Sequence, residues 1–495
     1  MLETSTALHL SNRLGFGPAQ GDLARIAGMG IEAFLDEQLH PQPARLPPSV
    51  TSALRALPSF GKNSAEAFAE YWWKDQVDDP KSIPKDEKRK LIAREKLVKR
   101  EAHVARLARA IGSPWQLHEA LVEFWFNHFN VFEGKGEIKV WIGAYEEEAI
   151  RPHTLGRFSD LLLATAKHPA MLVYLDNAQN VAPGMQETSK DAMADDAKQI
   201  PMKNRKEHGI NENFAREVME LHTLGVDGGY SQADVVALAH ILTGWTVGPG
   251  ADSDAANAVN RFRKHRGAFR FAARRHDPSA ECLLGRTFSG GDVGEGEAAL
   301  LMLAAHPATS RHISFQLAQF FVADQPDHAL VDAMAKTFRE TSGDIRSVLK
   351  TMLNRPEFLA PIRFGAKFKT PYRYVVSAAR AAGINPANAA PLAFALEDLG
   401  QPLYGCISPD GYACTQAAWL DPDGLLRRLS LAQRIGDGEY GGSNDGAGSL
   451  APPDPDRLLD TLKPAFGKTT LAAIEQAPRD RRAGAILGSP DFMRC

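Results

Sequence analysis

The chain has 495 residues, of which 44% are hydrophobic and 24% charged, and its formal net charge is −3. These are ordinary values for a soluble globular protein; they exclude global disorder, and the near-neutral balance predicts no nucleic-acid partner. No run of about 18 apolar residues occurs, so no membrane-spanning helix is expected.

The start, MLETSTALHLSNRLGFGP, lacks a basic region, an apolar stretch and a small-residue cleavage site. As written this predicts a cytoplasmic protein; a trimmed leader would leave the same start, with a periplasmic or secreted protein as the consequence. Cys282, Cys406, Cys414 and Cys495 are too few and too scattered for a disulfide framework or a zinc finger, and free thiols are expected.

Helical signals dominate in chain order. Residues 22–39 read as two short helices broken at Gly28-Met29-Gly30, with Ile31, Phe34, Leu35 and Leu39 on one apolar face. Residues 80–112 carry many lysines and arginines interleaved with Glu87, Glu95 and Glu101, the pattern of a basic surface helix with internal ion pairs; an anion-binding arm is the alternative. Ser113-Pro114 opens a further helix, in which Glu119, Glu123 and Asn127 repeat every four residues among Phe124, Trp125, Phe126 and Phe129. His168-Pro169 and His306-Pro307 each stop a helix, and their histidines are expected to cap it.

Residues 178–209 are polar and without apolar period, suited to a lid. They run into Asn211-Glu212-Asn213-Phe214-Ala215-Arg216-Glu217-Val218-Met219-Glu220-Leu221-His222, where a helix of about 100° per residue puts Asn213, Arg216, Glu217 and Glu220 in one stripe and Phe214, Val218 and Leu221 on another face. Between 247 and 284 the helical period fails, and Phe269-Arg270-Phe271 alternates like a strand. The fold expected is all-α, a multi-helix globule with a small β-hairpin-like excursion around 247–284. A main helical domain spans 1–435, 436–455 is a Gly/Asp/Pro-rich loop, and 456–495 is a helical tail packing on the main domain.

Three segments supply polar groups: the helix with Glu119 and His128, the turn from Arg151 to Arg157 with Asp176-Asn177, and the Asn213–His222 stretch. If they converge, Glu217, Glu220, Arg216, Glu119 and His128 are the catalytic candidates. Asn127, Trp125, Arg151, His153, Arg157, Asp176, Asn177, Asn213 and Trp245 would then bind substrate. Several carboxylates and arginines in one cavity split pKa values and leave one acid protonated and another ionised, as hydrolysis of a glycan or similar polar polymer requires, with Trp125 or Trp245 stacking a sugar ring.

Other readings use the same residues. His128, His153 or His222 with Glu217, Glu220 or Asp176 offer ligands for a divalent metal, although no HExxH is present and no cofactor is demanded. In a non-catalytic binding or scaffold protein, Arg216 and Arg157 would neutralise buried glutamates and tie helices together. The stretch from Gly436-Asp437-Gly438 to Gly448 is rich in glycine but follows no strand, no P-loop or GxGxxG opens a helix, and no GxSxG elbow appears, so nucleotide and serine chemistry are not supported.

HLSNRLGFGP near the start, FWFNHFNV at 124–131, RPHTLGRFSDLL at 151–162, HPAMLVYLDN at 168–177, the motif beginning at Asn211, LTGW at 242–245 and HPATSRHIS at 306–314 occur in one order. Together they resemble the bacterial domain-of-unknown-function 1800 family over nearly the whole chain. The resemblance implies a predominantly α-helical protein without an assigned activity. It also implies a possible sulfatase-like partner, since members are often encoded beside such proteins. The chain departs from the pattern at Phe126, where a histidine is expected before Asn-His-Phe, and in lacking the export signal of many relatives.

Overall fold

The structure, a computed structural model, describes residues 4–77, 81–183, 210–248, 267–440 and 451–495. Most of the 178–209 segment expected as a lid, the middle of the 247–284 excursion and much of the 436–455 loop lie outside the described residues.

The centre is the Gln116–His128 helix, in which every residue except Asn127 is buried. A helix that is apolar on most sides is stable only when others surround it. The Lys85–Gly112, Ile138–Tyr145, Phe158–Lys167 and Pro307–Phe321 helices contribute to one continuous core with it, including Trp125, Phe129, Trp141, Tyr145 and Phe158.

Local signals in the sequence set many boundaries. The 22–39 stretch is two helices, Asp22–Met29 and Ile31–Leu39, separated by Gly30 at φ 84°. Asn63 with Glu66 and Ser231 with Asp234 form capping boxes that open Ser64–Tyr71 and Gln232–Ile241. His168 and His306 do cap helices, with a difference from the expected role. Besides ending one helix, the Nδ1 of each accepts the N–H of Ala170 or Ala308 at the start of the next. Burial lowers the pKa of both, which suits a neutral ring acting as an acceptor.

The basic 80–112 stretch is one helix from Lys85, but only its first part is a surface helix. From Glu95 onward it carries Val98, Ala102, Leu107, Ala108 and Ile111 into the core, along with Arg106 and Arg109. The local charge pattern conceals this because the buried arginines find glutamates far away in sequence.

Two helices change pitch. Ile138–Tyr145 runs into a π-helical turn, Glu146–Ile150, and then a 3-10 turn, Arg151–His153. The stretch starting at Asn213 is α-helical only over Asn213–Glu217 and π-helical over Val218–Thr223. A wider turn alters the angular spacing of the side chains, so Glu217 and Glu220 do not keep the relationship that an ideal α-helix gives them.

The β-excursion consists of two small antiparallel sheets, the only ones among the described residues. β1 (Trp245–Gly248) pairs with β2 (Ala268–Phe271), and β3 (Glu281–Leu283) pairs with β4 (Arg286–Phe288). At the C-terminal end, Pro422–Gly436 lies against Arg479–Leu487. A Cβ on Gly436 would come within 2.7 Å of Gly484 N, so a glycine is required at this crossing. The Lys367 and Lys369 N–H groups donate to the carbonyls of Cys495 and Met493, joining the last residues to the body. No helix among the described residues is long and apolar enough to cross a membrane.

Candidate functional site

A cavity of about 210 Å³ opens beside the central helix. Glu123, Phe124, Asn127 and His128 form one wall, Arg106 a second, and Gln316, Gln319 and Phe320 a third. Tyr372 and a loop carrying Gln401, Tyr404, Asp410, Tyr412 and Cys414 close it.

The loop is held by the central helix. Asn127 Nδ2 donates to the Tyr412 carbonyl at 2.9 Å, and Tyr412 N–H donates to Asn127 Oδ1 at 2.7 Å. Gly411, just before Tyr412, has φ 72°, and a Cβ there would lie 2.4 Å from the Asn127 carbonyl oxygen. Asn130 adds Nδ2 bonds to the carbonyls of Cys406 and Ser408.

The floor carries charge. The Arg106 guanidinium lies 5.1 to 5.3 Å from the ring centroids of Phe126, Tyr372 and Tyr404 and 3.3 Å from Glu146. Burial opposes its charge, but Glu146, Tyr372 and Tyr404 together outweigh this and the pKa is raised. Phe126 is one wall of this aromatic box.

Glu123 is a buried acid on the cavity wall. Its Oε2 makes no hydrogen bond among the described residues, and its charge partner is Arg373, with Nε at 3.8 Å. Burial pushes its pKa above the usual carboxylate range, and Arg373 and Arg106 offset this only in part. It is therefore a carboxyl group able to hold a proton at the wall of a cavity.

Of the residues singled out in sequence, Asn127 and His128 line the cavity. His128 has both ring nitrogens engaged, with Gln316 Oε1 at 2.7 Å and the His222 carbonyl at 3.1 Å. Burial, with His312 nearby, lowers its pKa to about 3, so the ring is neutral and has a single N–H to donate to one of these two oxygens. His222 is fully buried behind it, its ring centroid 6.1 Å away. Glu217 is half-buried within electrostatic reach of Asp410, which lines the cavity, and of Glu220. Burial first, then these two acids, raise its pKa, while Arg216 opposes.

Glu119 and Arg151 instead make a closed ion-pair network. Arg151 contacts Glu119 at 3.0 Å, Glu146 at 2.8 Å and Glu147 at 3.4 Å. Burial works against the Glu119 charge, but Arg151 and His118 outweigh it and hold the pKa at about 2. Both tryptophans expected as sugar platforms are fully buried. Trp125 donates to the Thr154 carbonyl at 3.1 Å, and Trp245 packs against Phe269 and Gly296, so neither ring face is free to stack a ligand.

The remaining candidates hold backbone or surface positions. Asn177 is buried and donates to the carbonyls of Leu242 and Trp245; Asn213 donates to that of Leu175 at 3.3 Å. Asp176, at φ 61°, pairs with Lys135 at 2.7 Å. Arg157 is exposed and bridges Asp344 through its backbone, and His153 is half-buried in its 3-10 turn. Arg216 pairs with Glu212 at 2.9 Å and meets Gln232, and Glu220 hydrogen-bonds Tyr230. Thus the three polar segments do not converge: one end of the central helix meets the cavity, and Arg151 closes on glutamates elsewhere.

The residues missed in sequence are Glu123, Arg106, Arg373, Asp410 and the three tyrosines. Glu123 has a signal, the Glu119-Glu123-Asn127 repeat that puts it on the polar stripe. The others come from segments far apart along the chain, with no shared local pattern.

No curated protein and no solved structure matches the chain. Its motifs nonetheless follow a shared pattern from residue 9 to residue 494, and over that span the chain belongs to the family described as Protein of unknown function (DUF1800).

Proposed function

We propose that the protein is a hydrolase whose site is the cavity beside the central helix, acting on a hydroxyl-rich polar substrate such as a glycan unit. The observation that carries this reading is Glu123, a buried carboxyl with an unbonded oxygen and a raised pKa, on the wall of a cavity that also holds Asp410. Glu123 in its protonated form donates to the leaving oxygen, and Asp410 takes a proton from the attacking water. Gln316, Gln319 and Gln401 offer amide partners for hydroxyl groups, and the tyrosine and phenylalanine rings offer apolar surface to a sugar ring.

A non-catalytic binding role is the second reading, favoured by Arg373, which gives Glu123 a charge partner without any reaction. Turnover on a panel of oligosaccharides, with esters and phosphoesters as controls, separates the two. Hydrolysis that is lost in Asp410→Asn at unchanged melting temperature supports the enzyme. Saturable glycan binding without cleavage supports the binding role.

A further inference from the structure

We infer that His240, Asp277 and Glu281 form a binding site for a divalent transition ion, zinc being the best match to the donors. The three ligand atoms lie within 4.8 Å of one another. His240 is in the last turn of Gln232–Ile241, Asp277 follows the 3-10 turn Ala273–Arg275, and Glu281 begins β3. The site is separate from the cavity, none of whose lining residues belongs to it.

Two carboxylates compete for one ring N–H. His240 Nδ1 faces Asp277 Oδ2 at 2.6 Å and Glu281 Oε1 at 3.5 Å. The single ring N–H satisfies Asp277, and Glu281 Oε1 is left with a long 3.4 Å contact from the Ser279 hydroxyl, which is closer to Asp277 Oδ1 at 2.6 Å. A divalent cation in the same space satisfies the ring nitrogen and both carboxylates together. Zinc bonds of about 2.0 to 2.1 Å in tetrahedral geometry put neighbouring donors about 3.3 Å apart, so Asp277 and His240 need separate by less than about 1 Å. One nitrogen and two carboxylate oxygens, with water as fourth ligand, form a set that zinc accepts and that calcium, preferring six or more oxygens, does not.

The supports are in place on both sides. Asp277 Oδ1 is occupied by the Ser279 N–H at 2.9 Å and by its hydroxyl at 2.6 Å, which aims Oδ2 at the histidine. Thr243 Oγ1 donates to the His240 carbonyl and accepts the Asp277 N–H, fixing the two ligand-bearing backbones to each other. Asp234, at the start of the same helix as His240, accepts the Leu284 N–H at 2.7 Å and pins the β3–β4 hairpin. The ion would clamp this hairpin to the helix.

Full-length protein stripped with EDTA and titrated with zinc chloride tests the site by calorimetry, metal analysis after gel filtration, and melting temperature. One equivalent of zinc per chain and a raised melting temperature are expected. Glu281→Gln keeps size and shape, and it and His240→Ala should each weaken binding at least about tenfold while the metal-free circular dichroism is unchanged. Cys282→Ser is the control for a neighbouring soft ligand: Cys282 is exposed, strand alternation turns it away from Glu281, and binding should survive its loss. No stoichiometric zinc, zinc binding retained in both ligand variants, or zinc binding abolished in Cys282→Ser would each overturn the assignment.

Discussion

Glu123 Oε2 stands 3.8 Å from Arg373 Nε, near enough for charge attraction and too far for a hydrogen bond. Both η nitrogens of Arg373 are likewise buried without a hydrogen-bond partner among the described residues. This loose pair contrasts with the tight contacts of Arg151, and the two should respond differently when a carboxylate is removed.

Glu123→Gln keeps the volume and removes the titratable proton. Hydrolytic turnover should fall by about 10²–10⁴-fold, the usual worth of a general acid, while the denaturant midpoint moves little. A structural ion pair would behave oppositely, costing about 3–5 kcal/mol when one partner is removed. Parallel urea melts and turnover assays on the same preparation distinguish these outcomes.

Glu119→Gln should show that structural cost, because it leaves Arg151 without one of the carboxylates that neutralise it inside the protein. The pH dependence carries the sign. Folding holds Glu119 at about 2, below the ordinary glutamate value of 4.5, so its contribution is complete above 4.5 and is lost as pH falls from 4.5 toward 2. Wild type should lose stability through that window, and Glu119→Gln should lose less. The Glu119→Gln, Arg151→Met double variant should recover part of the single variant's loss, which a double-mutant cycle of urea melts measures.

What the sequence disclosed follows the range of the interactions. The helix break at Gly30 and the strand at Phe269-Arg270-Phe271 rest on neighbours within a few residues, and they read directly. The π-helical turn at Val218–Thr223 does not, since no local pattern separates it from an α-helix of the same composition. The cavity is less legible still: Asn127 and Tyr412 are 285 positions apart, and Glu123 meets Arg373 only after the helices pack. Trp125 and Trp245 read as ligand platforms because composition does not reveal which aromatic rings will be fully enclosed.

Asn127→Ala should release the 401–414 loop. It removes two hydrogen bonds to Tyr412, each worth about 1 kcal/mol net, and leaves a backbone N–H and a carbonyl to find water. A loss of about 2 kcal/mol is expected in urea melts, with faster hydrogen exchange in the loop. Gly411→Ala should do more harm, since its Cβ meets backbone and φ is positive.

His128 makes the fold sensitive to acid. Its pKa of about 3 in the folded protein lies below the ordinary histidine value of 6.5, so the unfolded chain binds the extra proton first. Stability should therefore drop as pH falls from 6.5 toward 3, by a few kcal/mol, since each tenfold change in proton affinity is worth about 1.4 kcal/mol. His128→Gln should flatten this part of the stability profile while lowering its plateau, because the bonds to Gln316 and the His222 carbonyl change. Thermal melts at intervals between about pH 4 and pH 7 give both quantities.

Glu217 predicts the reverse sign. Burial, Glu220 and Asp410 raise its pKa in the folded protein, so between 4.5 and that raised value the native chain holds more proton than the unfolded one. Stability from this group is present at low pH and declines as pH rises through the window. Glu217→Gln should then stabilise the protein at neutral pH, by less than about 1 kcal/mol because the side chain is half exposed and solvent screens it. The gain should vanish below about pH 4, where the carboxyl is protonated in both states. If Glu217 also shapes the field at Asp410 for catalysis, the same substitution will cost turnover while adding stability, a trade typical of residues kept for function. Melting temperature and turnover measured together on Glu217→Gln decide whether its repulsion with Asp410 serves the reaction or is only tolerated by the fold.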